Sequence, residues 1–256
     1  MARTSAGRSS LSRAVEILDA FDSVSVYLTA TQISERTGSP VSSTHRLLGE
    51  LTSLGLVERA PDRTYRLGAR LWEWSARSPG AAGLRAAAWP HLHQVHHVVR
   101  QHAQIGILAG HDVLFIERLS APDAVVNYSV IGQRLPALVS SSGLVQVAWL
   151  PEYEQEAILA AGLEPYTPKT VTDPSLIRRH LADIRRNGYV ANDGYVHTAV
   201  RGIAVPLRGH QDDVLGALSV IVPNDSAPVG PHVTVLKNAA AAISRDYAAL
   251  TRGRPS

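Results

Sequence analysis

The stretch Thr29-Ala-Thr-Gln-Ile-Ser-Glu-Arg-Thr-Gly-Ser-Pro-Val-Ser-Ser-Thr-His-Arg-Leu-Leu48 decides how the N-terminal part of the chain is read. It opens on a capping box, in which the Thr29 hydroxyl accepts from the third backbone amide and Gln32 reaches back to the cap. The short helix this starts runs through Ile33 to about Arg36. Thr37-Gly38 closes it, because glycine enters the left-handed conformation without a Cβ penalty. Ser39-Pro40 then opens a second helix, with serine as cap and proline in the first turn. That helix runs to Ser53 and ends at Leu54-Gly55, with Thr44, Leu47, Leu48, Leu51 and Leu54 as its buried stripe. Two short helices about a tight glycine turn form the helix-turn-helix pattern.

The flanks agree with it. Upstream, Leu11, Ala14, Val15, Leu18 and Phe21 recur at three- and four-residue spacing, which predicts a supporting amphipathic helix over 10–22 with Ser10 as cap. Downstream, 56–59 and 64–67 flank a Pro61-Asp62 turn and read as a β-hairpin, the wing of a winged helix. In this motif the second helix offers its first turns to the major groove. Ser42, Ser43 and Arg46 lie opposite the leucines with His45 beside them, although His45 could instead pack under the wing. Arginine can fork onto guanine O6 and N7, and serine can donate or accept at a base edge. Arg63 and Arg66 in the wing are candidates for phosphates, which set affinity more than sequence choice. Thr31 and Gln32, at the start of the first helix of the motif, complete the candidate DNA-contacting set. Arg3, Arg8 and Arg13 read equally well as a solvated tail or as a DNA-contacting arm.

The chain has 256 residues, enough for two domains with separate cores. Its hydrophobic fraction of 45% and charged fraction of 18% are ordinary for a globular protein. The formal net charge of +3 is only mildly basic, so the placement of charge matters more than its total. No apolar run approaches the roughly 18 residues of a membrane span, and the first ten residues lack the apolar core of a signal peptide. The chain has no cysteine, hence no disulfide and no thiolate metal site, and a cytoplasmic location is expected.

Residues 68–77, with Trp72 and Trp74, predict a helix interrupted at Pro79-Gly80, and exposed tryptophans there would suit a dimer contact. A helix is expected over 84–100. Strands are expected on both sides of the Gly110-His111-Asp112 turn and over 127–130, 189–191, 202–207 and 214–222. Further helices are expected over 142–150, 152–161, 174–187 and 231–250. Strands in runs with helices packed to one side predict an α+β domain around an antiparallel sheet.

These pieces, in their order, resemble the isocitrate-lyase-regulator (IclR) family of bacterial transcription factors. The resemblance rests on 10–18, 33–38, 43–48, 54–59 and 65–68 in the first domain. In the second it rests on Ile131-Gly-Gln-Arg-Leu-Pro136, Thr172-Asp173, 184–189, Val200-Arg-Gly-Ile-Ala-Val-Pro206 and Ala217-Leu-Ser219. It implies an α+β chain in three parts: a winged helix-turn-helix over 1–68, a linker helix over 69–82, and a GAF-like effector-binding domain over 83–256. It further implies a homodimer or dimer of dimers on a palindromic double-stranded DNA operator, tuned by a small-molecule effector. The pattern suits a repressor of a catabolic operon, with no cofactor and no enzymatic activity. The family pocket maps onto Ser141, Ser142 and Gly143, whose backbone amides would meet a ligand carboxylate. Asn192 and Ser219 map onto polar lining positions, and Leu138, Leu144, Gly202 and Ile221 onto other wall positions. The family often carries histidine near Leu138, lysine at Leu144, aspartate at Asn192, cysteine at Gly202 and serine at Ile221, so this cavity is expected to be more apolar. The expected effector is therefore an aromatic or otherwise apolar carboxylic acid, with a small keto acid as the alternative.

Other constellations compete. His91, His93, His96, His97 and His102 crowd one stretch, and His93 and His97 sit one helical turn apart, but no further metal ligand is evident. The segment 140–143 is not a nucleophile elbow, and no base-orienting spacing supports a serine hydrolase. A winged helix that binds protein, or an enzyme built on the second domain, are the alternatives to a ligand-responsive regulator.

Overall fold

In the computed structural model of the chain, residues 9–22, 24–77, 79–209 and 213–252 are described. Arg3 and Arg8 lie outside them. The chain divides into two compact units, 1–78 and 79–256.

The first unit contains α1 (Ser10–Asp19), α2 (Ala30–Thr37), α3 (Val41–Ser53), β1 (Val57–Arg59), β2 (Tyr65–Leu67) and α4 (Ala69–Arg77). Ser9, not Ser10, caps α1, its side chain accepting from the Ser12 amide at 3.0 Å. The buried face of α1 centres on Ile17, with Ala14 and Leu18 beside it. Leu11 and Val15 are 75% and 48% exposed, so the expected stripe was rotated by part of a turn. The Thr29–Gln32 capping box is present, and Gly38 closes α2 with φ +62°. Pro40 occupies the cap position of α3, and no side chain caps it. Ser39 instead bonds through its carbonyl oxygen to the Ser34 hydroxyl at 2.6 Å. Thr44, Leu47, Leu48 and Leu51 are buried, whereas Leu54 stands past the helix end and is exposed. β1 and β2 pair antiparallel, and Leu28 adds a bridge to Tyr65, tying the strand before α2 to the wing.

The second unit begins with α5 (Pro79–Val99), so Pro79 opens a helix rather than breaking one. Proline suits that position because the first amides of a helix have no intrahelical acceptor. The expected connector over 69–82 is thus split between α4 and the first turn of α5. The strands β3 (His102–Ala109), β4 (Asp112–Leu119), β5 (Arg134–Pro136), β6 (Val190–Asp193), β7 (Val200–Arg208) and β8 (Val214–Pro223) form one antiparallel sheet in the order β5-β4-β3-β8-β7-β6. The helices are α6 (Ser141–Val147), α7 (Glu152–Ala160), α8 (Pro174–Asn187) and α9 (Gly230–Arg252).

Helices cover both faces of this sheet, not one. Ile105, Ile203, Val205, Leu218 and Val220 alternate onto the face that meets α5 and α9. The opposite face, carrying Gln104, Gly106, Asn192, Gly202, Ala204 and Ser219, meets α6. Alternation assigns the two sets, since successive side chains point to opposite sides. The residues named on the second face are polar or small where those named on the first are branched and apolar. The expected strand over 127–130 is irregular backbone, and a short strand, β5, lies further on.

Candidate functional site

The exposed face of α3 carries Ser42, His45, Arg46, Gly49 and Glu50, with Ser43 half-buried beside them. Arg46 pairs with Glu50 one turn on, and both are about half exposed, so the pair is weak and screened by salt. Thr31 and Gln32 are exposed at the start of α2. Gln32 Oε1 is already engaged by the Thr29 amide and hydroxyl at 2.8 and 3.0 Å. In the wing, Arg66 is held by Glu58 at 2.7 and 2.9 Å and touches the Tyr27 hydroxyl at 3.3 Å. The Arg66 guanidinium is the main cause of a Glu58 pKa below its usual value. Arg63 sits at the turn with φ +66° and is exposed. Its turn is fixed by Asp62, whose carboxylate accepts from the Thr64 amide and hydroxyl at 3.0 and 2.6 Å. Arg59, which sequence alone did not single out, lies exposed at the end of β1 in the wing, with its guanidinium 5.7 Å from the Tyr65 ring centre.

In the second unit a cavity opens on the polar sheet face. Its walls include Gln104, Ile221, Gly202 and Asn192 from the sheet, Ser140 and Ser141 at the start of α6, the segment 126–129, and Tyr195 with Val196 and Val200. The free volume is about 30 Å³. Register explains the floor: Ile221 pairs with Gly202, and Gly202 with Asn192, so three neighbouring strands present one row. Gly202 packs closely under α6: a Cβ there would lie 2.7 Å from the Ser141 hydroxyl oxygen, so that side chain would have to turn away.

Polar groups in these walls are mostly satisfied by one another. Asn127 Nδ2 donates to Gln104 Oε1 at 3.0 Å, Gln104 Nε2 to the Ser129 hydroxyl at 3.3 Å, and the Ser129 amide to Asn127 Oδ1 at 2.9 Å. The wall is hung from the start of β3. Gln101 accepts from the Val125 amide at 2.9 Å, and His102 Nε2 donates to the Val125 carbonyl at 2.5 Å. Asn192 is the exception: it is 3% exposed, and neither of its amide atoms has a partner among the described residues. An unpaired buried donor or acceptor costs about 1–3 kcal/mol. The backbone amides of Ser141 and Ser142 likewise have no partner among the described residues, whereas that of Gly143 bonds to the Ser140 carbonyl at 3.0 Å. Among the described residues, no Lys, Arg, His, Asp or Glu lines the cavity. Tyr195 is half-buried, and burial, aided by Asp193, raises its pKa, so its phenol stays neutral.

Of the nine residues mapped to the pocket, Ser141, Asn192, Gly202 and Ile221 line this cavity. Leu138, Ser142, Gly143, Leu144 and Ser219 lie behind the lining. Leu138 and Leu144 join the apolar cluster with Val113 and Phe115. The Ser142 hydroxyl bonds to that of Ser219 at 2.7 Å. Gly143 packs on the Ala137 backbone, which a Cβ would meet at 2.1 Å. Sequence reading missed Gln104, Asn127, Ser129 and Tyr195. For Gln104 a signal existed: His102, Gln104 and Gly106 alternate with Ala103, Ile105 and Ile107, marking a strand face turned toward something polar.

Three of the crowded histidines are engaged with separate partners. His91 bonds Asp246 at 2.7 Å, His93 packs edge-on against Trp89, and His102 is buried with Nδ1 2.9 Å from the Ser120 hydroxyl. No group of three ligating side chains is positioned to hold a metal ion among the described residues. No described helix is long and apolar enough to cross a membrane.

A winged helix-turn-helix followed in one chain by a sheet domain with a cavity lined by uncharged residues defines a class, that of ligand-sensing DNA-binding regulators. Family models agree: the IclR helix-turn-helix domain matches residues 10–61, and the bacterial transcriptional regulator IclR C-terminal domain matches 79–245. The regulator XynR of Escherichia coli (strain K12) is 32% identical over 241 residues, spanning 92% of this chain and 96% of its own. The Pca regulon regulatory protein of Pseudomonas putida is 29% identical over 213 residues, 82% of this chain and 73% of its own. An IclR homologue from Microbacterium hydrocarbonoxydans, crystallised with 4-hydroxybenzoate, is 41% identical with a TM-score of 0.88, covering 94% of this chain and 100% of that one. The chain belongs to the IclR family of bacterial transcriptional regulators.

Proposed function

We propose that this regulator binds a palindromic operator as a homodimer, or as a dimer of dimers, and that an aromatic carboxylic acid in the cavity sets its affinity for that operator. The observation that carries the reading is the cavity itself. Among the described residues it has no basic or acidic lining side chain, it is walled by Val126, Leu135, Val139, Val200 and Ile221, and it keeps a few fixed polar groups. That is the composition expected of a site for an apolar body with one or two polar ends. The unpaired amide of Ser141, which lines the cavity, supplies a donor for a carboxylate, and the 4-hydroxybenzoate complex of a 41%-identical relative supports the same ligand class. A ring needs a cavity on the order of 150 Å³, so binding moves a wall. The wall free to move is 124–130, which belongs to no strand and hangs from side-chain bonds.

On the DNA side, Ser42, Ser43, His45 and Arg46 read base edges. Arg63 and Arg59 contact phosphate in preference to Arg66, which Glu58 already neutralises. Thr31 and Gln32 meet the backbone at the start of α2. Pairing of two copies is supported by the apolar surface of the first unit, where Leu11, Val15 and Trp72 are exposed. The sign of regulation proposed is repression of a catabolic operon, with the ligand bound and released unchanged. Calorimetric titration of the full-length protein tests the ligand class. Benzoates are expected to bind and pyruvate or glyoxylate to bind more weakly or not at all; the reverse order favours the keto-acid alternative.

A further inference from the structure

We infer that the ligand carries, besides its acid group, a neutral hydroxyl that hydrogen-bonds the Asn192 side chain, and that Asn192 makes the cavity prefer hydroxylated aromatic acids to bare ones. This rests on the aromatic-acid reading of the cavity and adds to it the second polar end of the ligand.

Asn192 is unlike every other buried amide side chain described. Gln104 is satisfied by Asn127 and Ser129. Gln146 donates to the Ser142 carbonyl at 2.6 Å and accepts from the Leu108 amide at 2.8 Å. Among the described residues the Asn192 side chain has neither a donor nor an acceptor partner; it is 3% exposed and lines the cavity. Leucine has nearly the same size, so an unpaired amide here serves no packing purpose.

The chemistry of the amide limits the occupant. Nδ2 donates and Oδ1 accepts, so satisfying both requires a group that can accept and donate. A carboxylate or an ether can only accept and would leave Oδ1 facing a lone pair. A hydroxyl does both. The neighbouring charges do not alter this: Asp193 points outward in an ion pair with Arg201, and the Tyr195 phenol is neutral. The phenols of Tyr128 and Tyr195 differ from Asn192, since Tyr128 is exposed and Tyr195 only half-buried. Gly202 beside Asn192 carries no side chain to block the approach.

Titration of the full-length protein with benzoate, with 2-, 3- and 4-hydroxybenzoate, and with the corresponding methoxybenzoates tests the inference. At least one hydroxybenzoate is expected to bind about tenfold or more tightly than benzoate and than its own methyl ether, the scale set by one buried group left unpaired. Asn192→Leu is expected to bring hydroxybenzoate and benzoate to within about twofold of each other while benzoate still binds. Asn192→Asp, whose carboxylate still accepts from a hydroxyl, is expected to keep the preference. Equal binding of benzoate and every hydroxybenzoate by the native protein, which needs no variant to fold, overturns this inference alone. So does a preference that survives Asn192→Leu. Failure of every benzoate to bind overturns the aromatic-acid reading and this inference with it.

Discussion

Two glycines let α6 pack closely, Gly143 within it and Gly202 on the sheet beside it. Gly143 lets α6 lie against the Ala137 backbone, where a Cβ would approach the carbonyl oxygen to 2.1 Å and backbone would have to shift. Gly143→Ala is therefore expected to destabilise the second unit by about 3 kcal/mol, near the top of the usual overpacking range, measured by urea unfolding. Gly202 faces only the Ser141 side chain at its closest approach. Gly202→Cys is expected to cost about 1 kcal/mol of stability and to weaken benzoate binding, because its side chain enters the cavity. A variant that binds benzoates as well as the native protein would contradict the placement of the ligand. Asn192 and Gly202 were reached only through the family resemblance; their pairing on neighbouring strands is what carries both to one face. Leu138 and Leu144 join the core instead: Leu144 lies on a short buried helix with no polar side to tell cavity from core, and Leu138 lies in the turn before that helix. Asn127 and Ser129 could not be placed either, because their backbone has no period and their position depends on contacts to β3, far away in sequence.

Local signals fixed the elements of the first unit. A capping box, a glycine stop and a leucine stripe act within a few residues, so α2, α3 and the wing were readable to within a residue or two. In the sheet domain the side of helix packing was misread. Val214-Leu-Gly-Ala-Leu-Ser-Val-Ile-Val222 has few charged or large polar positions, which signals burial on both faces. On α3, Arg46→Ala is expected to weaken operator binding by about 1–3 kcal/mol and to relax selectivity at the base it reads, checked by anisotropy on single-base operator variants. In the wing, Arg63→Ala is expected to lower the slope of log affinity against log salt by about one, and Arg66→Ala by less, because Glu58 already holds Arg66. Equal slopes for the two would contradict the assignment. At the hinge of the cavity wall, burial lowers the pKa of His102 below 6.5 despite its bond to Val125, and burial lowers that of His180 on α8 despite Asp183. Below about pH 6.5 the unfolded chain binds these protons and the folded one resists them, so stability is full above that value and declines as pH falls toward the depressed values. The urea midpoint of the second unit is expected to be lower at about pH 5.5 than at about pH 7.5. A midpoint that holds or rises on acidification would contradict the buried neutral state of these histidines.

At the scale of the molecule, division into a DNA-binding and a sensing unit was evident in sequence, because each unit has its own complete pattern of elements. Where one unit ends was harder to read, since Pro79 can either break a helix or open one and only tertiary context decides. The central claim concerns the link between the units: the cavity ligand and the operator bind the same molecule and each alters the other's affinity. Linkage requires the two effects to be equal. The decisive measurement titrates the full-length protein onto DNA from upstream of its own gene, with and without saturating 4-hydroxybenzoate, and titrates 4-hydroxybenzoate into free and DNA-bound protein. The account predicts a change in DNA affinity of about 5- to 150-fold and the same factor in ligand affinity. Specific DNA binding that is indifferent to the ligand, or no binding to that DNA at low salt, would contradict it.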